Sequence, residues 1–310
     1  MQRTLAARPK MSKMWPYLFC LPFILAYLLF NLFPTIYSFF LSFFDWTGVG
    51  ERTFLGVKNY IDLFTKDPMF FKSLKNTLIL MGLSTPITVA LGLLLANALF
   101  HLGRGRMAYQ TINFFPYITT PVAIGFIFSY LFDWQSGFVN QLFTGIGLLE
   151  EPFFWLQSPW AARMIVVMMI VWRYLGYYMT LYLAAITALP MDVYEAARVD
   201  GANRFVMFFK ITMPLLRNMT VFLVLTSMIG GLQMFEEPLL LYSGWANMGN
   251  GAMGGPDNAV LTTVWKFYND AFRLDSRLGY SSAIAYSLFF MIAVIAFLAY
   301  RISRRKGDDL

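Results

Sequence analysis

Six stretches of this sequence are long and apolar enough to cross a lipid bilayer, and no other feature narrows the fold as far. A spanning helix needs about 20 mostly apolar residues. In hydrocarbon every backbone N–H and C=O must find its partner inside the chain, which leaves helices or closed barrels. The runs fall at 17–44, 74–99, 107–132, 161–187, 215–241 and 280–300. Only 13% of residues are charged, against about 25% in an ordinary soluble domain. The expected fold is all-α: one polytopic membrane domain over 1–310 with about six transmembrane helices.

The first run follows Arg3, Arg8, Lys10 and Lys13, as the core of a signal peptide would. It is far longer than the roughly 7–15 residues of such a core and has no small-residue cleavage site, so it reads as an uncleaved anchor. Within it, Pro22 and Pro34 predict a kink and a boundary. Charge sets the orientation. The connector HLGRGR carries Arg104 and Arg106 and no acid, whereas 133–160 carries Asp133, Glu150 and Glu151 and no base. The positive-inside rule then puts both termini in the cytoplasm. Basic loops beside anionic headgroups account for the net charge of +7 without any nucleic acid.

Chemistry-bearing clusters are scarce. Cys20 is the only cysteine and His101 the only histidine, so an intramolecular disulfide is impossible. The residues suggest no metal site, no nucleophile–base set and no G-x-x-x-x-G-K-[ST] phosphate loop. The chain is therefore expected to be no enzyme and to need no cofactor of its own.

One polar segment interrupts the apolar pattern. Between the fourth and fifth runs, in a loop at 188–214, Tyr194–Pro214 reads YEAARVDGANRFVMFFKITMP, with Glu195, Arg198, Asp200, Arg204 and Lys210. Asp192-x-x-Glu195 reads as a capping box opening a short helix, and Asp200-Gly201 as the turn that stops it. A second short helix would gather Phe205, Phe208, Phe209 and Thr212 on one face, with Pro214 starting the next span. From residues alone the segment fits a folded connector, an amphipathic stretch on the headgroups, or a knob whose Ala196, Ala197, Gly201 and Ala202 admit another surface closely.

This segment resembles the cytoplasmic "EAA" loop of permease subunits of binding-protein-dependent ABC importers, roughly EAAxxDGAxxxxxFxxIxxP. Glu195, Ala196, Ala197, Asp200, Gly201, Ala202, Phe208, Ile211 and Pro214 match. FFPYITTPVAIGFIFSYLFDW and MGGPDNAVLTTVWKFYNDAF are similar to segments of carbohydrate permeases, and the amino-terminal run to the half that pairs with a second permease. Asn218 stands where many members carry a proline. The resemblance implies a permease of an ATP-driven sugar importer, working by alternating access in the cytoplasmic membrane of a prokaryote. Its implied partners are a second permease subunit, two ATPase subunits seated on the EAA loop, and an extracytoplasmic solute-binding protein.

A substrate path is expected near the membrane midplane. Arg173 lies about twelve residues into the fourth run, roughly 18 Å deep at 1.5 Å per residue, where a charge is costly and marks function. It would contact substrate or pair with Glu236 or Glu237. The Gly230-Gly231 pair in the opposing fifth run predicts a weakened helix beside a cavity. Aligned on the EAA loop, the family's sugar contacts fall at Tyr174, Tyr177, Ser227, Gly231 and Met234, and Gln233 would add hydrogen bonds. Other readings are a permease for a non-sugar solute, a secondary transporter working alone, or a membrane enzyme. Glu236 and Glu237 are the only acidic candidates for a proton relay.

Overall fold

A computed structural model describes residues 15–243, 253–273 and 276–305. The basic residues Arg3, Arg8, Lys10, Lys13 and Lys306 lie outside the described residues. Among the described residues, four helices are long and apolar enough to cross a membrane: Tyr17–Leu41, Pro68–Phe100, Pro159–Thr187 and Leu278–Leu298. They coincide with the first, second, fourth and sixth apolar runs.

The first spans three continuous segments, α1 (Trp15–Tyr27), a π turn (Leu28–Leu32) and α2 (Phe33–Leu41). Pro34 therefore ends nothing. The missing N–H of Pro34 and its clash with the preceding turn are absorbed in the π turn, and the helix runs on to Leu41. A short hairpin follows, β1 (Phe44–Asp45) against β2 (Thr53–Phe54), then α3 (Lys58–Lys66).

Two long helices form the centre. α4 (Pro68–Phe100) and α8 (Pro159–Thr187) pack along each other. Lipid tails are as apolar as leucine, so helices in a bilayer associate through close packing and hydrogen bonds rather than a hydrophobic drive. One buried cluster joins Val89, Leu93 and Ala96 to Tyr178, Met179, Tyr182 and Leu223. A second, toward the other end, joins Leu80 to Ile165, Val166, Met169, Leu241 and Trp265.

The third apolar run is not one straight span. It forms α5 (Arg106–Ile118) and α6 (Pro121–Leu131), bent by 94°. Thr119 and Thr120 between them have extended backbone, as expected before Pro121, which disfavours helical geometry in the preceding residue. After α7 (Phe138–Gly145) and α8 come α9 (Met191–Val199), α10 (Arg204–Met207), a second π turn (Phe208–Thr212) and α11 (Met213–Leu215). The chain then turns by 67° into α12 (Arg217–Leu232). The fifth run is also broken: Gln233–Phe235 leave the helix and α13 (Glu236–Ser243) resumes it. The Gly230-Gly231 pair stays helical, and the break comes two residues later.

The end away from α9 is tied together by polar contacts. Asp67 caps α4 through the Phe70 amide (2.9 Å) and accepts from Lys266 Nζ (2.9 Å) of α14 (Thr263–Phe272) and the Tyr280 hydroxyl (2.7 Å) of α15 (Leu278–Arg305). Burial alone would raise the Asp67 carboxyl, but the Lys266 and Tyr280 hydrogen bonds and the Lys266 charge hold it below the ordinary carboxylate value. Arg163 donates to the Ala259 carbonyl (3.0 Å) and to Asn76 Oδ1 (3.1 Å), fastening the last loop to α4 and α8.

Candidate functional site: a tyrosine-lined cavity at the break in α12

α8 presents Tyr174, Tyr177 and Tyr178 to a cavity of about 260 Å³. At 3.6 residues per turn, positions i, i+3 and i+4 share a face, so one helical stripe supplies three rings. α12 contributes Thr226, Ser227, Gly230 and Gly231, and the break beyond it Met234. α4 adds Ser84 and Thr88, α5 adds Tyr117, and α13 adds Glu237.

The geometry is held from behind. Tyr117 stacks on Tyr177 with ring centroids 4.7 Å apart and planes at 16°, and Tyr174 meets Tyr117 edge-on at 5.9 Å. Ser227 Oγ and Thr85 Oγ1 are 2.9 Å apart, joining α12 to α4. Gly231 abuts α4 so closely that an added Cβ would lie 2.7 Å from Met81 Cγ.

Arg173 resolves its two options in favour of pairing. Its Nη1 donates to Glu237 Oε1 at 2.7 Å and stands 3.7 Å from Glu236 Oε2. The guanidinium is 5.2 Å from the Tyr174 ring centroid, and the Tyr174 hydroxyl also donates to Glu237 Oε1 (3.3 Å). The pair is nearly buried, with side chains 12% and 7% exposed. Breaking such a pair costs about 3–5 kcal/mol because one charge is left uncompensated. Arg173 thus sits behind Glu237, and it is the carboxylate that lines the cavity.

Of the residues expected on the path, Tyr174, Tyr177, Ser227, Gly231 and Met234 come together here; Gln233 does not. It faces a separate, mostly apolar hollow beside Val264, Phe267 and Ile284. At about 100° per residue it lies some 120° round the helix from Ser227. Ser84, Thr88, Tyr117, Tyr178 and Glu237 were not singled out as path residues. Tyr117 had a signal in its position just before the Pro121 break.

If the rings and hydroxyl form the site, Tyr177→Ala and Ser227→Ala are expected to lower uptake at least tenfold while membrane abundance stays within twofold. Immunoblots and uptake on the same cells check this. Equal loss of both would reduce these residues to packing.

The loop at 188–214 forms a compact knob. Tyr194 of α9 is buried, and its hydroxyl lies 3.0 Å from Thr212 Oγ1, joining the knob's two halves. Phe100 at the end of α4 meets the Tyr194 ring at 6.0 Å. Burial, then the charges of Arg204 and Arg198, push the His101 imidazole below its ordinary value. The basic residues of the knob therefore stand at the same end as HLGRGR.

The expected capping box is absent. Pro190 is the N-cap of α9 and no side chain caps it, so Asp192 and Glu195 lie inside the helix. With Pro190 as N-cap the helix starts at Met191, two residues earlier than a cap at Asp192 would allow. The aromatic face is split as well: Phe208 and Thr212 are buried, while Phe205 is 72% and Phe209 45% exposed. The π turn Phe208–Thr212 shifts the side-chain register there. Asp200-Gly201 does stop the first helix, with Gly201 at φ +77°. Glu195, Ala196, Asp200, Gly201 and Pro214 are exposed, Ala197 is half-buried, and Phe208 anchors the knob in the core.

Residues 88–307 match the family described as binding-protein-dependent transport system inner membrane component. The chain is 32% identical to the lactose transport system permease protein LacF of Rhizobium radiobacter, over 94% of each. It is 31% identical to the arabinooligosaccharides transport system permease protein AraP of Halalkalibacterium halodurans, over 96% of this chain and 91% of that one. It superposes with a TM-score of 0.81 and 26% identity on a chain of a bacterial ABC transporter that imports the acidic polysaccharide alginate, covering 94% and 95%. The chain is a multi-pass membrane protein and belongs to the family of inner membrane components of binding-protein-dependent transport systems.

Proposed function

We propose that this permease carries a carbohydrate through the tyrosine-lined cavity, in an importer driven by ATP on separate subunits. The observation that carries the reading is the cavity itself. Flat aromatic faces suit the apolar faces of sugar rings, and Ser84, Thr88, Ser227 and Glu237 offer hydrogen bonds around them. Its volume, about 260 Å³, lies below the roughly 300–1,000 Å³ usual for a complete small-molecule site. A second permease subunit facing the cavity supplies the rest in this reading. The relatives that carry lactose and arabinooligosaccharides support the substrate class.

The knob is then the seat of the ATPase, with Glu195, Ala196, Ala197, Asp200 and Gly201 at the contact and exposed Val199 and Phe205 beside them. The clustering of Arg104, Arg106, Arg198 and Arg204 with it supports a cytoplasmic position for this end, in the inner membrane of a prokaryote as the family implies. In this reading the start of α1 and the end of α15 lie on the same side, and the Asp67–Lys266 end faces the solute-binding protein.

Reconstitution tests the division of labour. In liposomes the chain alone should show neither ATP hydrolysis nor sugar accumulation. Co-expression with its permease and ATPase partners, plus the binding protein, should restore both. Gradient-driven uptake by the single chain would overturn the reading in favour of a secondary transporter.

A further inference from the structure

We propose that Glu237 makes this cavity selective for uncharged saccharides over acidic ones, an inference that rests on the carbohydrate reading above. Among the described residues, Glu237 is the one charged side chain that lines the cavity, and no lysine or arginine does. The cation beside it is already committed. Arg173 meets two carboxylates, Glu237 at 2.7 Å and Glu236 at 3.7 Å, so this end carries one more negative charge than positive.

Both bonds to Glu237, from Arg173 and from the Tyr174 hydroxyl, fall on Oε1. Oε2 remains to accept from a sugar hydroxyl. A sugar carboxylate cannot donate there, and it would meet the residual negative charge with less screening than in bulk water. Four tyrosine rings around the same space, Tyr117, Tyr174, Tyr177 and Tyr178, fit an uncharged ring and offer an anion only weak hydroxyl donors. A transporter of an acidic polysaccharide superposes on this chain over almost its whole length, so on this proposal the difference in charge preference lies in side chains, with Glu237 foremost.

The test uses the assembled importer, purified without its binding protein so that the binding protein's own preference is not read. Binding of maltotriose and of trigalacturonate, trisaccharides of similar size and opposite character, is measured by saturation-transfer NMR. Maltotriose should bind at least tenfold more tightly. Glu237→Gln keeps an oxygen for Arg173 and Tyr174 while removing the charge, and should bring the ratio to threefold or less. Glu236→Gln removes the second negative charge from outside the cavity and should lower the ratio by less than Glu237→Gln does. Equal binding of the two probes by the wild type would overturn the proposal, and this needs no variant to fold. A ratio unchanged in an assembled Glu237→Gln complex would also overturn it. Binding of neither probe would instead sink the carbohydrate reading, and this inference with it.

Discussion

Gly176→Ala is expected to lower the folded protein in the membrane, and uptake with it, at least tenfold. α5 crosses α8 at this glycine so closely that an added Cβ would run into the backbone carbonyl of Asn113, with Phe114 Cα at 2.8 Å. These are backbone atoms, so no side chain can swing aside. α5 would have to move outward and take Tyr117 with it, away from its stack on Tyr177. Overpacking a soluble core costs about 1–3 kcal/mol. In lipid no hydrophobic drive between helices offsets it, and each 1.4 kcal/mol is about tenfold. Gly82→Ala on α4 is the control: a Cβ there meets nothing within 4 Å, and alanine is the better helix former by about 1 kcal/mol. Immunoblots of membranes bearing the two variants decide it, and equal amounts would show that the crossing tolerates more than the geometry implies.

Gly201→Asp should leave this protein abundant but release the ATPase. A Cβ at Gly201 meets nothing within 4 Å in this chain. The +77° φ is one that aspartate adopts more readily than most residues, at a cost of about 1–2 kcal/mol. Any large effect must therefore come from outside the chain. At a docked contact the new carboxylate would be buried without a partner, which costs several kcal/mol, enough to lower affinity a hundredfold or more. Gly201→Asn has similar backbone tolerance without the charge and should retain more ATPase. Co-purification of ATPase with each variant, alongside uptake in whole cells, measures the difference. An aspartate variant that keeps its ATPase and transports normally would reduce the knob to a connector.

Local chemistry was legible in the sequence wherever it is a sum over neighbouring residues. The four long helices lie where hydropathy placed them, because the cost of an unpaired backbone in lipid depends on a run of about 20 side chains and little else. The turn at Asp200-Gly201 was readable for the same reason: its geometry is set within a few residues. Tyr174, Tyr177, Ser227, Gly231 and Met234, the positions aligned through the EAA loop, line one cavity. For Arg173 the sequence left contact with substrate and pairing with Glu236 or Glu237 both open.

Tertiary structure decided what depends on which helix faces meet. Pro121 turned a 26-residue apolar run into two helices bent by 94°, and beyond the break after Leu232 Met234 and Glu237 line the cavity while Gln233 faces a separate hollow. Tyr117 entered the site from an element more than fifty residues earlier than Tyr174, through a crossing that only the bare backbone of Gly176 permits. Hydropathy cannot report such choices. Every one of these helices is apolar on several faces, and in lipid the face that packs is chosen by steric fit and paired polar groups rather than by escape from water.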